Sequence, residues 1–456
     1  MNLYFWGLLG IYLISMIIIG YRRPSGQTMQ SFFFADRRVS GFILTASTFA
    51  TIIGATSTIG LIGLSVRWGL PAWWWLLSGS IGLIMLRHLF IRRLTGFGLY
   101  TVTDLIRHLY NPKIEKLSAG LILLSWTGVI AAQLVASGKL LRSLIPNFPL
   151  PMAITIIALV IVIYLLTGGQ RAVLITDLIQ ALLIFLGVIV IFGFLVSHTS
   201  ISSIPSDFFR FPFNQQAGPM SILSLCLILI PLYLFGPDIY SRFLCADSPR
   251  QASRVLFAAA ALILIIGALL CLIGILGRSW YPGADGETII YLLIKHHFNP
   301  VFGSLILLAF LAAFMSSADT SLMTSATILS HNMLHRFNLS VTRLFLILMM
   351  TLSVLIACFY QNIIASLMIG YKIFSAGLTI PLLLPLLFTS HRFSSFSASI
   401  TLSWGALIAI FQEFYPLPLP GIINLSSSLI LFILAEIIHH RLSRSRLFSS
   451  WIRKTP

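Results

Sequence analysis

The chain has 456 residues, 58% of them hydrophobic and only 9% charged, with a mean hydropathy of +0.97. A water-soluble domain carries about 25% charged residues, so a soluble globular protein is excluded, and apolar stretches of bilayer-spanning length recur from end to end with no room for a separate soluble domain. The formal net charge of +17 would suit a nucleic-acid partner, but the placement of the bases points to membrane topology instead.

About thirteen spans are predicted, at residues 3–20, 41–64, 70–90, 117–144, 150–167, 172–197, 219–235, 252–276, 301–333, 342–360, 363–388, 396–414 and 422–439. All should be helices, because a backbone in lipid must satisfy its own hydrogen bonds; the fold class is an all-α polytopic membrane protein. With the N-terminus outside, the outer loops hold only Arg67, Lys139, Arg142, Arg210, Arg278 and Lys295. Lys372 lies within a span, and every other one of the 29 lysines and arginines falls on the inner side. That asymmetry predicts an outside N-terminus and a cytoplasmic C-terminus. It explains the net charge by attraction to the inner leaflet, so the expected partner is the lipid bilayer and no nucleic acid. No cleavable signal peptide is read, since the start lacks bases and Arg22 and Arg23 follow the first span without a small-residue cleavage pattern. Cys226, Cys245, Cys271 and Cys358 are scattered without metal-ligand spacing and read as packing residues.

Two spans are interrupted. The second, GFILTASTFATIIGATSTIG, carries Gly54 and Gly60 among Thr51, Thr56, Ser57 and Thr58. The seventh carries Pro231 and ends at Gly236-Pro237. Glycine and proline weaken or break helices. Breaks at corresponding places in two halves point to a transporter site, and these two lie five spans apart, as two five-helix repeats starting at spans two and seven require. The ninth span contains LAAFMSSADT, Leu311–Thr320, with Ser316, Ser317, Asp319 and Thr320 in mid-membrane. A carboxylate at that depth costs about 2.5–3.5 kcal/mol and needs a partner, an ion or a wet cavity. Buried hydroxyls usually bond the carbonyl of the previous turn, but beside an Asp they also suit a hard cation. Trp73, Trp74 and Trp75 read most simply as an interfacial belt. Lys372 either snorkels to the outer interface or binds an anionic substrate group. His331 and His335 have i, i+4 metal spacing but no third ligand, and His439-His440 read as inner-face anchors. No phosphate loop, nucleophile elbow or paired-carboxylate site is present.

Several stretches, in order and at the expected spans, resemble the sodium:solute symporter family. They are FFFADRR (Phe32–Arg38), AAQLVASGKLL (Ala131–Leu141), GGQRAVLITDLIQ (Gly168–Gln180), GPDIYSRFLCADSPRQA (Gly236–Ala252) and LAAFMSSADTSL (Leu311–Leu322). The resemblance implies a five-plus-five inverted-repeat core of the leucine-transporter type behind an extra N-terminal helix. One membrane domain would then comprise an extra helix and inner loop (1–40), repeat one (41–197), repeat two (218–388), and C-terminal helices with a basic tail (396–456). It implies a sodium site made by the carbonyls of Ala50, Ile53 and Ala313 and the hydroxyls of Ser316 and Ser317. The spacing agrees, since Ala313, Ser316 and Ser317 share one helical face and Gly54 follows Ile53. Some members bind a second cation, and Asp177, Asp319 and Thr320 match those positions, although a carboxylate at 319 departs from the pattern. It is read as a stronger cation site, as a proton-titrating group, or as one half of an ion pair with a base at the inner mouth. Ile52 stands where sugar and proline carriers have a polar residue, which implies a less polar pocket wall. Thr56 and Gln133, with Lys372, are the expected pocket residues.

The expected function is import of a small polar or anionic organic solute by sodium symport with alternating access. There is no cofactor beyond Na⁺ as coupling ion. Proton coupling through Asp319 or Asp177 is the alternative, and a membrane-embedded enzyme or a transporter-like sensor is remote. The expected location is a bacterial inner membrane. The oligomeric state is open, with a monomer the simplest expectation.

Overall fold

The computed structural model describes residues 2–21, 29–144, 147–284, 286–335 and 338–452. Among them there is no strand, and eighteen α-helices follow one another. The first half holds α1 (Asn2–Tyr21), α2 (Met29–Phe34), α3 (Gly41–Ile52), α4 (Leu61–Trp68), α5 (Trp74–Met85), α6 (Ile91–Leu94), α7 (Val102–Leu109), α8 (Pro112–Leu144) and α9 (Leu150–His198). The second holds α10 (Pro219–Phe235), α11 (Pro237–Phe243), α12 (Pro249–Trp280), α13 (Gly286–His297), α14 (Pro300–Ile328), α15 (Leu339–Phe359), α16 (Ile363–Leu387), α17 (Ser395–Phe414) and α18 (Pro420–Ile452).

The long helices start where a polar cap meets an apolar run. Ser248, Asn299, Asn362 and Ser394 each accept a backbone N–H from the first turn of the helix they precede, and Pro249 and Pro300 sit at first helical positions, where no N–H is needed. Among the described residues, eleven helices are long and apolar enough to cross a bilayer, and the pair α3 and α4, bent by 65°, makes a twelfth span. The 49 residues of α9 would run about 73 Å as one rod, more than twice the roughly 30 Å hydrocarbon core. The rod is broken at Gly169, where φ is 57° and ψ −148°. Only glycine fits there, since a Cβ would stand 2.6 Å from the Phe32 ring. Dividing α9 at that point gives the thirteen expected spans. The helices α7 and α13, which lie at opposite ends of the bundle, were not expected from hydropathy, being short and polar on one face.

The central element is α14. Every residue from Ile306 to Ile328 is buried, as for a helix surrounded by others, and α1, α3, α8, α9 and α15 pack around it. Close approach without a hydrophobic drive depends on small residues: a Cβ on Gly405 of α17 would lie 2.2 Å from the backbone of Gly377 of α16. The two breaks, between α3 and α4 and between α10 and α11, both lie beside α14, and that placement builds the site.

Candidate ion and substrate site

Three carbonyls at the end of α3, those of Ala50, Thr51 and Ile53, lose their ordinary helical partners. The Gly54 amide, which would have closed on Ala50, bonds instead to the Ile52 carbonyl at 3.1 Å and the Ser57 hydroxyl at 2.7 Å. The Ala55 amide, due to Thr51, is taken by Gln133 Oε1 at 2.8 Å. The Ile53 carbonyl accepts no hydrogen bond among the described residues. The chain re-enters a helix through a π-helical turn at Thr56–Gly60, a feature frequent at functional sites.

The serines of α14 meet these carbonyls. Ser316 Oγ donates to the Ala50 carbonyl at 2.7 Å and to Ala313 at 3.1 Å, and Ser317 Oγ donates to Thr51 at 2.8 Å. Ala50, Ala313 and Ser316 are thus brought together, while Ser317 meets the carbonyl of Thr51 rather than that of Ile53. All are buried. Neutral oxygen donors only, in a buried crossing of two helices, can hold a desolvated monovalent cation once the hydroxyl hydrogens turn away.

Beside them a cavity of about 30 Å³, room for a water or two, is bordered by Thr56, Trp75, Gln133, Tyr233, Asp238 and Tyr371 among others. Thr56 and Gln133, expected as pocket residues, both border it. Lys372 does not; its neighbour Tyr371 borders the cavity, because one residue turns a helix face by about 100°. The tryptophans also divide. Trp75 faces the cavity, whereas Trp73 donates to the Leu264 carbonyl at 3.0 Å and Trp74 stacks on Phe211 at 5.8 Å. A wider cavity of about 790 Å³ opens on the face opposite the C-terminus, bordered by Arg67, Lys139, Arg278 and the start of α16.

Below the serines lies Arg242, which the charge tally placed in an inner loop. It is 1% exposed. Its Nη2 lies 3.0 Å from Asp177 Oδ2 and 3.1 Å from Thr51 Oγ1, and it also donates to Thr320 Oγ1. The space between Asp177 and Thr320, expected to seat a second cation, is thus filled by a guanidinium. Ser47 donates to the same Asp177 oxygen at 2.5 Å. Asp319 is not in that ion pair; Tyr164 donates to its Oδ2 at 2.5 Å and Thr320 to its Oδ1 at 3.3 Å. Asp238, at the first turn of α11, accepts from Trp126 Nε1 at 2.7 Å and Ser321 Oγ at 3.2 Å. The sequence reading missed Arg242, Asp238 and Tyr164. The usable signal for the first two was GPDIYSR, where an acid and a base one turn apart follow a helix-breaking Gly-Pro.

At the end of the bundle that carries α7, Asp104 closes a capping box with Thr101 at the start of that helix. It also takes hydrogen bonds from Asn332 at 2.6 Å and faces His331 Nε2 at 3.2 Å. Burial pushes its carboxyl up, but the His331 hydrogen bond and charge and the Tyr100 and Thr101 amides outweigh that and hold it below its ordinary value. His331 is therefore tied to Asp104, and His335 is not part of that contact.

A profile of the sodium:solute symporter family matches residues 32–391. The chain is 25% identical over 329 residues to the sodium/pantothenate symporter of Haemophilus influenzae, covering 67% of this chain and 66% of that protein. It is 23% identical over 351 residues to the sodium/proline symporter of Staphylococcus aureus, covering 71% and 67%. The matches thus span about two thirds of the length of these relatives. Among solved structures, a substrate-bound, outward-open Na⁺-coupled sialic acid symporter superposes with a TM-score of 0.81 at 19% identity, over 96% of this chain and 97% of that one. A nucleobase-cation-symport-1 family transporter in a closed conformation gives 0.59 at 14% identity, over 91% and 95%. These likenesses establish the expected inverted-repeat fold. The profile match, which runs from within α2 to the turn after α16, places the chain in the sodium:solute symporter family.

Proposed function

We propose that this protein imports a small polar or anionic organic solute by symport with Na⁺, as a transporter and not an enzyme. The observation that carries the reading is the opening of α3 at Ile53–Gly54, whose freed carbonyls face Ser316 and Ser317 of α14. The sodium ligands are the carbonyls of Ala50, Ile53 and Ala313 and the hydroxyls of Ser316 and Ser317. The solute site is the cavity bordered by Thr56 and Gln133, with Trp75 and Tyr371 as apolar walls. Repeat one (41–197) and repeat two (218–388) rock against each other around this point. The protein acts as a monomer in a bacterial inner membrane, with the N-terminus outside and the C-terminus in the cytoplasm. A second cation near Asp177, Asp319 and Thr320 belongs to this proposal only for conformations in which Arg242 withdraws.

The test needs no knowledge of the solute. Binding of radiolabelled Na⁺ to purified protein is measured for the parent chain and for Ser316→Ala with Ser317→Ala. Saturable binding that the double substitution abolishes supports the reading. Parent protein without saturable Na⁺ binding, or a double variant that binds as the parent does, overturns it.

One observation favours a second reading. Among the described residues the buried base Arg242 pairs with Asp177 and not with Asp319, whose hydrogen-bond partners are the hydroxyls of Tyr164 and Thr320. A buried carboxylate without a base takes a proton or a cation, so proton coupling through Asp319 is the alternative. Solute uptake driven by an imposed pH gradient without Na⁺, and lost in Asp319→Asn, would replace the sodium reading.

A further inference from the structure

At the inner face, away from the transport site, three side chains from two distant parts of the chain converge. His391 lies in the turn between α16 and α17, and Glu436 and His440 lie one turn apart on α18. The His440 Nε2 is 3.4 Å from Glu436 Oε1, and the His391 Nε2 is 3.7 Å from the same oxygen. All three ligand atoms fall within 4.8 Å of one another. A tetrahedral ion with bonds of about 2.0–2.1 Å to nitrogen and oxygen holds its donors about 3.3–3.4 Å apart. Two of the three edges are therefore already within a few tenths of an ångström of that length, and only the two imidazoles need to close.

The cluster is also braced. Glu436 accepts the Ser394 amide on both oxygens, at 3.0 Å on Oε2 and 3.2 Å on Oε1, and the Ser397 hydroxyl on Oε2, while Oε1 also faces the two imidazoles. The His391 ring rests on Phe393 at 4.6 Å, and Phe393 rests on Phe432 of α18 at 5.4 Å. Hydrogen-bonded carboxylates and packed rings of this kind orient metal ligands. The two imidazoles are 47% and 53% exposed, so an ion can reach them and a water can complete the shell. The flanking cations, Arg392 and Arg441, are exposed to solvent, where screening weakens their repulsion. Two imidazoles and one carboxylate suit a borderline divalent ion and not Mg²⁺ or Ca²⁺, which take oxygen shells.

We propose that His391, Glu436 and His440 form a binding site for a divalent ion of the Zn²⁺ class. Bound there, the ion joins the inner end of α16 to α18. Since α16 also carries Tyr371 to the solute cavity, the ion restrains a helix that borders the transport site. The proposal stands independently of the coupling ion and of the solute.

The test uses full-length protein in detergent, stripped with a chelator and titrated with Co²⁺ and then Zn²⁺. The parent is expected to bind one ion per chain, with the intense visible absorption of tetrahedral Co²⁺ and an upward shift in thermal midpoint on adding Zn²⁺. His391→Ala and His440→Ala should each lose both signals, and their exposed positions leave the fold intact. His439→Ala, beside the cluster but outside it, should keep both. A parent without the Co²⁺ band, either imidazole variant that retains it, or a His439→Ala variant that loses it would each overturn the assignment.

Discussion

Removal of the Arg242 guanidinium tests the buried network most directly. Arg242→Gln keeps hydrogen-bonding capacity toward Thr51 and Thr320 but leaves the Asp177 carboxylate, 0% exposed, with only the Ser47 hydroxyl. Breaking a buried ion pair from one side costs about 3–5 kcal/mol, or roughly two to three and a half decades in the folded-to-unfolded ratio at about 1.4 kcal/mol per decade. Removing both charges avoids that cost, so Asp177→Asn with Arg242→Gln should recover at least half of the loss. The ion pair is screened little by salt at this burial, so the pattern should be the same at low and high ionic strength. Thermal unfolding of detergent-purified protein, read alongside membrane expression level, measures all three chains. An Arg242→Gln variant as stable as the parent would refute the reasoning, as would a double variant no better than the single.

Further outcomes follow from the same geometry. Ser316→Ala and Ser317→Ala, made singly, should each raise the half-saturating Na⁺ concentration about tenfold, equivalent to about 1.4 kcal/mol, in a Na⁺-binding titration. A Cβ on Gly54 would stand 2.5 Å from Ser317 Oγ and 2.9 Å from Gln133 Nε2; Gly54→Ala should therefore weaken Na⁺ binding while the protein stays monodisperse on size-exclusion chromatography. Asp104 has a folded-state pKa below its ordinary value of 3.8, so its stabilisation is present above that value and lost as pH falls through the folded one. Asp104→Asn should lower stability at neutral pH and flatten the acid limb of a thermal-midpoint profile, with little difference from the parent once both are below the folded value.

The spans were legible in the sequence because a membrane helix closes its hydrogen bonds within itself, so local apolar length is enough to find it. The breaks at Gly54, Gly169 and Gly236-Pro237 were legible for a related reason, since the residues that free a carbonyl are local too. Ser316 and Ser317 stood out because hydroxyls beside a carboxylate are conspicuous in an apolar run. Local information did not reach the partners. Whether Lys372 or Tyr371 faces the cavity depends on how α16 is rotated, and its neighbours set that rotation. Arg242 reads as a loop base after a span until α11 is seen turning back under α14, which brings it to Asp177, 65 residues earlier. The histidines show the same limit from the other side. The i, i+4 pair visible in the sequence, His331 and His335, gathers no third ligand among the described residues, whereas His391 meets Glu436 and His440 only when α18 is packed beside the end of α16. A charge or an imidazole is specified by one residue, but its function belongs to the group it faces, and for a chain that crosses the membrane repeatedly that group is fixed by packing.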